Sequence, residues 1–478
     1  MTFITFNFYI FLIAVLILYY ILPLRFRYLS LLMGSISFYM LFYKEGWWLI
    51  LLTILLSYLF SIMIFKQNGQ AKTTIYVLSL VFTICPLLIK YINTIKTGDA
   101  SKGIIGFVVP LGISFYTISI IAYLTDIYKG IVTPTYNILK YTLYVSFFPH
   151  IVQGPIPRYN DLSKDLYEGH AFHEDTFSKG LHLIIWGFFL KLVIADKVAV
   201  VVNTIFDNYQ AYVGFYVLIG ALLYSLQLYA DFYACTTLAR GIALLFGIKL
   251  KDNFRQPYFA TSIKDFWQRW HLTLTSFLRD YIYIPLGGNR HGKKRKYLNI
   301  LIVFAVSGIW HGAGLNYMIW GLVHGIYQIV GELTDKKRTK FLDSIRLTKD
   351  RPKTIILKRI ITFLLITITW IPFRAQNMEV ACIMISNMFT KFNPWILFNN
   401  RIFSLGLSWK ELMVLLVATI ILYLISHAHE KGKHISNIIL SKNIFIRWSI
   451  YILAIISIMI FGTYGFGFNP QDFIYGGF

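Results

Sequence analysis

The stretch Val303-Phe304-Ala305-Val306-Ser307-Gly308-Ile309-Trp310-His311-Gly312-Ala313-Gly314 sits inside a longer run, 297–331, that contains no Asp, Glu, Lys or Arg. A spanning helix needs about 20 apolar residues, so an uncharged run of this length reads as membrane-embedded. An ionisable side chain at that depth is costly and by default marks a functional site. His311 is that side chain, and imidazole titrates near neutral pH, which suits proton transfer. Upstream, a second histidine closes Phe266-Trp267-Gln268-Arg269-Trp270-His271. Between the two lies Arg279-Asp280-Tyr281-Ile282-Tyr283-Ile284-Pro285-Leu286-Gly287-Gly288-Asn289-Arg290.

The rest of the chain agrees with a membrane setting. Of 478 residues, 57% are hydrophobic, 18% aromatic and only 14% charged, and the mean hydropathy is +0.60. A soluble domain carries roughly 25% charged residues. Uncharged stretches such as 1–24, 46–65, 103–125 and 208–230 recur throughout and leave no room for a large soluble domain. The expectation is one membrane domain over 1–478. The apolar runs are continuous rather than alternating, which argues for helices and against a β-barrel. The first run lacks a basic leader and a small-residue cleavage site, so it reads as a membrane span and not as a signal peptide. Arg25 and Arg27 follow it, which places its C-terminal end in the cytoplasm and the N-terminus outside.

A formal net charge of +23 suggests nucleic acid, but its distribution excludes that partner. The bases cluster in short loops between apolar runs: Arg290 and Lys293 to Lys296 in one, ten bases from Lys336 to Arg359 in another. Cytoplasmic loops facing anionic lipid have this composition. Such loops also attract a polyanionic nucleotide, a secondary reading. Cys85, Cys235 and Cys382 lie in apolar contexts without a CxxC spacing, and read as packing residues.

Apolar periodicity places spans at 3–22, 28–43, 46–65, 73–92, 104–124, 139–153, 180–200, 211–230, 299–314, 316–333, 356–373, 410–427 and 445–463, of which about 10 to 12 are expected to cross the bilayer. The piece 139–153 runs into Gln153-Gly154-Pro155-Ile156-Pro157-Arg158 and is expected to be broken or re-entrant, which is tolerated only inside protein or beside a cavity. No repeat period is visible. The stretch 262–286 reads as one amphipathic helix, capped by Ser262 with Asp265 as the capping-box acid, with Phe266, Trp267, Trp270, Leu274, Phe277 and Leu278 on its apolar positions. Pro285 with Gly287 and Gly288 ends it.

The three quoted motifs, in this order over 266–313, resemble the signature of the membrane-bound O-acyltransferase family. The Ile-Pro-Leu-Gly-Gly-Asn-Arg ending is similar, more narrowly, to the branch of alginate and peptidoglycan O-acetylation membrane subunits. Similarity extends to Gln153–Tyr159 and to Trp370-Ile371-Pro372-Phe373-Arg374. The teichoic acid D-alanyl transfer proteins are relatives in which that seven-residue element is not expected. The resemblance implies an all-α polytopic membrane protein with re-entrant and amphipathic helices around a central funnel and a motif core at 262–333. It implies an O-acetyltransferase of the plasma (inner) membrane with no bound cofactor. Acetyl-coenzyme A would be the cytoplasmic donor, an extracytoplasmic polysaccharide the acceptor, and an extracytoplasmic esterase-like O-acetyltransferase the partner that completes transfer.

Within that frame His311 is the expected base. Gly312 beside it has no side chain, so a reacting oxygen can approach; the plainer reading of one intramembrane histidine is a helix–helix hydrogen bond. His271 is a second candidate catalytic residue, which would act directly, bind the donor or orient His311; the other reading is a cavity-wall histidine. The candidate substrate-binding side chains are Trp267, Arg269, Trp270, Arg279, Asp280, Asn289 and Trp310, with a structural ion network as the other reading of Arg269, Arg279 and Asp280. The tail 469–478 resembles the Phe-Ile-Tyr-x-x-Phe ending of this branch, in which Tyr475 would carry the acyl group as an ester; the alternative is an interfacial aromatic anchor. His150, His182, His291 and His324 have no comparable context, and His427, His429 and His434 read as solvated loop residues. No HExxH, zinc-finger, paired-carboxylate, Gly-x-Ser-x-Gly or phosphate-loop spacing occurs, so no metal site is expected. Two rivals stay open. One is D-alanyl transfer to teichoic acid; the other is a transporter or flippase of a polar precursor without covalent chemistry.

Overall fold

In a membrane every backbone N–H and C=O has to be paired within its own segment, and the apolar runs accordingly fold as helices. The computed structural model describes residues 3–42, 46–97, 112–151, 153–348 and 351–464. Among them the β-structure is an isolated antiparallel bridge between Phe254 and Trp270. The protein is an all-α polytopic membrane protein. Six of the described helices are long and apolar enough to cross a membrane, and three shorter apolar ones join them.

The chain divides into two compact units, Met1–Phe188 with Ala234–Asp252, and Phe189–Tyr233 with Asn253–Gln471. The first contains α1 (Phe6–Ile21), α2 (Arg27–Phe42), α3 (Trp47–Lys66), α4 (Gly69–Thr97), α5 (Ile113–Tyr128), α6 (Ile138–Ser146), α7 (Phe148–Ile151), α8 (Tyr159–Glu168) and α9 (Glu174–Phe188). The piece expected at 139–153 is indeed broken: Asn137 caps α6, the chain kinks at Phe147, and α7 lasts one turn. Its residues from Tyr144 to Ile151 are all buried, as non-helical backbone at membrane depth has to be.

The second unit starts with a π-helix, Phe189–Ala195, then α10 (Asp196–Asp207) and the first part of α11 (Phe215–Leu245). It continues through α12 (Ile263–Trp267), α13 (Leu272–Leu278), α14 (Gly292–His311), α15 (Leu315–Ser344), α16 (Pro352–Arg374), α17 (Met378–Thr390), α18 (Trp409–Glu430), α19 (Ile435–Leu440) and α20 (Ile444–Phe461). Local chemistry sets the starts: Pro352 occupies the first position of α16, Asn377 and Asn443 cap α17 and α20, and Ser408 with Glu411 forms a capping box on α18.

One expectation is corrected here. The stretch 262–286 is not a continuous amphipathic helix. Ser262 caps α12, its side chain accepting the Asp265 N–H, but Asp265 accepts from the Thr261 N–H rather than from the cap itself. The helix stops after Trp267, and His271 takes a left-handed conformation before α13 begins. A second π-turn, Arg279–Tyr283, follows α13.

The helices α14 and α15 form an antiparallel hairpin with unusually close backbones. A Cβ on Gly308 would lie 2.3 Å from the Tyr317 carbonyl oxygen, and one on Gly321 would lie 2.1 Å from that of Phe304. Only glycine permits this approach, and small residues of this kind are how membrane helices reach close van der Waals contact. Lys296 and Glu332 form an ion pair at the open end of the hairpin, where the basic loops begin.

Candidate active site

His271 is positioned through its backbone. The Arg255 N–H donates to the Arg269 carbonyl at 2.9 Å, and the Leu272 N–H donates to the Asn253 carbonyl at 3.0 Å. The Asn253 Oδ1 also accepts from the Thr273 hydroxyl at 2.6 Å. These bonds bracket His271 and hold it at φ 47°, ψ 55°. A left-handed non-glycine residue costs on the order of 1–3 kcal/mol and persists only where its surroundings over-determine it, a condition that recurs at active sites. The imidazole is buried, with Phe232 edge-on at 4.7 Å between centroids and Trp310 at 5.9 Å.

His311 is the last residue of α14, immediately before the hairpin turn. At 1.5 Å per residue it stands roughly 22 Å along the helix from Lys296. It is 1% exposed. Trp310 at 4.8 Å, Trp320 at 5.1 Å and Phe373 at 5.4 Å meet its ring, all steeply inclined to it. A Cβ at Gly312 would fall 2.4 Å from a ring carbon of Tyr317. The glycine that was expected to clear space for a substrate is thus required by Tyr317, whose ring in turn packs on Phe373 at 5.3 Å.

His324, given no role from sequence, is part of this cluster. It lies one turn beyond Trp320 on α15, fully buried, in ring contact with Trp267 and Trp320 at 5.1 Å each. The Trp267 indole N–H donates to His324 Nδ1 at 3.3 Å. An indole can only donate, so Nδ1 is the acceptor and the proton resides on Nε2. Nε2 then donates to the Thr369 hydroxyl at 3.0 Å, and that hydroxyl donates to the Ile366 carbonyl at 2.6 Å. The chain of donors runs one way and commits both nitrogens of His324. The signal available in sequence was the Trp320–His324 spacing of four within the uncharged run.

The other candidates divide. Trp267, Trp270 and Trp310 join the cluster, Trp270 through Trp370 at 5.4 Å. Arg269 is bonded to Asp265 and to Glu430 of α18, each at 2.7 Å, with Arg359 3.6 Å from the same Glu430. These partners differ from the network anticipated among Arg269, Arg279 and Asp280, and the group is only partly buried. Arg279 and Asp280 pair with each other at 2.7 Å with Arg279 largely exposed, so they are not a buried network. Asn289 is exposed in the turn before α14. Both stand outside the ring cluster. Tyr475 and the tail lie outside the described residues. His427 and His429 are corrected: they belong to the last turns of α18, and the His427 ring stacks near Phe259 and Tyr423 at 6.0 Å each. His434 is exposed, as expected. Among the described residues no group of three or more His, Cys, Asp or Glu is arranged to hold a metal ion.

The site is therefore a closely packed, buried cluster of aromatic rings. Two imidazoles, His271 and His311, both meet the Trp310 indole, and a third, His324, is held by hydrogen bonds at both nitrogens. Imidazoles buried in this way are suited to general-base chemistry, the requirement of acyl transfer to oxygen.

Comparison with known proteins agrees with this chemistry. Residues 35–373 match the model of MBOAT, the membrane-bound O-acyltransferase family. The chain is 33% identical over 416 residues to a probable alginate O-acetylase of Pseudomonas syringae pv. tomato, covering 83% of this chain and 76% of the relative. It is 38% identical over 307 residues to the peptidoglycan O-acetyltransferase of Helicobacter pylori, covering 59% and 57%. A teichoic acid D-alanyltransferase of Bacillus subtilis is 31% identical over 268 residues, covering 53% and 65%.

Proposed function

The chain belongs to the membrane-bound O-acyltransferase family and is an O-acyltransferase, and on that premise we propose that it takes an acetyl group from cytoplasmic acetyl-coenzyme A and delivers it across the membrane for O-acetylation of an extracytoplasmic polysaccharide. The observation that carries this reading is the placement of His311: buried at the turn of the α14–α15 hairpin, walled by Trp310, Trp320 and Phe373. In the proposed step His311 removes the proton of the acceptor hydroxyl. The oxygen attacks the thioester carbonyl, the new C–O bond forms, the C–S bond breaks, and the proton passes to the departing thiolate. His271, beside the same indole, faces the donor or steadies His311. An esterase-like extracytoplasmic partner receives the acyl group and places it on the polymer.

The test is release of base-labile acetate from purified wall and extracellular polysaccharides of cells with the gene, without it, and with His311→Ala. Acetate that depends on the gene and on His311 supports the reading. Acetate that is independent of the gene sinks it. Gene-dependent release of alanine instead would assign D-alanyl transfer, and polymer loss with partial flux retained in His311→Ala would assign a transporter.

A further inference from the structure

Two buried polar atoms beside His311 have no partner, and both belong to groups that donate. The indole nitrogen of Trp320 makes no hydrogen bond among the described residues, and neither does the hydroxyl of Ser307; each residue is 1% exposed. An indole N–H can only donate, and a buried donor left unpaired carries its full desolvation cost. The neighbouring indole of Trp267 shows the ordinary solution, donating to His324 Nδ1 at 3.3 Å. Serines and threonines inside helices commonly return the hydroxyl to a carbonyl three or four residues back. Ser225 does so to Ala221 at 2.9 Å and Thr369 to Ile366 at 2.6 Å. Ser307 does not. A buried group left unpaired calls for a reason, and a catalytic role is one.

Both donors adjoin the base. Trp320 meets the His311 ring at 5.1 Å between centroids, with the planes inclined by 86°. Ser307 precedes His311 by four residues on α14, so the two side chains share a helix face with their Cβ atoms about 5–6 Å apart. The donors come from the two arms of the hairpin where the arms approach most closely. A Cβ on Gly321, next to Trp320, would lie 3.2 Å from the backbone nitrogen of Gly308, next to Ser307. Phe373 at 4.9 Å and Trp370 at 5.7 Å hold the Trp320 ring from the other helix.

We propose that the Trp320 indole N–H and the Ser307 hydroxyl are the donors that receive the negative charge of the acyl carbonyl oxygen during transfer. This rests on the acyl-transfer reading. As the acceptor oxygen bonds to the thioester carbon, its proton passes to His311 and the carbonyl π pair moves onto oxygen, giving a tetrahedral oxyanion. The two donors hydrogen-bond that oxygen. The pair then returns, the C–S bond breaks, and the proton held by His311 goes to the thiolate. Base and oxyanion donors act on atoms bonded to one carbon, so they have to stand close together, as these do. Donors fixed in advance by packing need no reorganisation when the charge appears. A resting partner would have to be given up first, so the lack of one fits the role.

Ser307→Ala removes one donor with little change in volume. At position 320, incorporation of 3-benzothienylalanine keeps the bicyclic shape of the side chain and puts sulfur in place of N–H. The experiment uses the full-length protein in membranes and measures thermal stability, kcat and KM for acetyl transfer from acetyl-coenzyme A, and the pH dependence of kcat. Neither group has a partner to lose, so both variants are expected to unfold at the parent's temperature or above it. Each is expected to lose about 100-fold in kcat, with KM and the acid limb of the pH profile unmoved. In either variant, activity at the parent's level, a raised KM with kcat kept, a displaced acid limb, or a rate loss accompanied by a lower unfolding temperature would overturn the proposal. Failure of the acyl-transfer reading shows separately, as no transfer by the parent.

Discussion

The imidazole of His271 meets the indole of Trp310 with ring centroids 5.9 Å apart and planes inclined by 60°. That contact joins two motifs far apart in the chain: a left-handed residue between α12 and α13, and the last turn of α14. Trp310 also touches His311 at 4.8 Å, so one indole fixes the spacing of both imidazoles. Rings held in this way do not need to reorganise when charge develops.

Replacing His311 by Ala is expected to reduce polymer acetylation by at least about 100-fold, the loss typical of removing a general base. The measurement is base-labile acetate per unit of polymer at matched membrane levels of the protein. Normal acetylation in this variant would remove His311 from the chemistry.

Gly308→Ala tests the hairpin that presents His311. The added carbon would sit 2.3 Å from the Tyr317 carbonyl oxygen, which α15 cannot yield without moving. A cost of about 1–3 kcal/mol in stability is expected, together with a loss of activity up to about 100-fold from misplacement of the imidazole. Gly331→Ala is the control on the same hairpin. Nothing lies within 4 Å of its added carbon, so a gain of about 0.5–1 kcal/mol is expected there. Thermal unfolding in detergent separates the two.

What the sequence made legible follows from which forces act locally. The apolar runs predicted helices within a few residues of where α1 to α3, α18 and α20 begin and end, because burial in lipid acts on each segment separately. The single helix expected over 262–286 failed because the break at Gln268 to His271 is imposed from outside, by pairing with residues 253–255. The bonding of His324 was not legible for the same reason: its partners Trp267 and Thr369 lie on other helices. The contact of Lys191 with Asp196 had no signal in the sequence, since it forms across a π-turn that periodicity does not announce. His311 was readable because it is costly wherever it lies at membrane depth.

His324→Leu should uncouple support from catalysis. It strips the Trp267 indole of its acceptor and the Thr369 hydroxyl of its donor, at an expected cost of about 1–3 kcal/mol in stability. Both nitrogens of His324 are already committed in the structure. The activity that survives should therefore keep the parent's pH profile. A displaced acid limb in His324→Leu would show that His324 itself titrates during turnover.

The orientation drawn from the basic loops is testable by thiol labelling. With Cys85, Cys235 and Cys382 replaced, single cysteines are introduced as Arg338→Cys and Gly476→Cys. The positive-inside rule puts residue 338 in the cytoplasm and residue 476 outside. An impermeant reagent applied to intact cells is expected to reach 476 and spare 338. The opposite pattern would invert the topology and with it the direction of acyl transfer.

Tyr475→Phe decides the role of the tail. The Thr463 N–H donates to the Leu192 carbonyl at 2.9 Å, which ties the chain after α20 to the π-helix that carries Lys191. From that anchor twelve residues lead to Tyr475, a tether of at most about 40 Å when extended. That reach is compatible with a phenol that visits both a donor site and an outer partner. The proposed chemistry is a two-step relay. The phenol oxygen attacks the acyl carbonyl while His311 takes its proton and passes it to the departing thiolate; an acceptor hydroxyl then takes the acyl group, and its proton returns to the phenoxide. An aryl ester suits the middle of such a relay, because phenoxide leaves more readily than an alkoxide. The competing role, an aromatic anchor at the membrane boundary, depends on the ring and not on the hydroxyl. Phe keeps the ring. Loss of polymer acetylation in Tyr475→Phe at normal membrane levels is therefore expected if Tyr475 carries the group, and acetylation at the parent's level would leave the tail as an anchor.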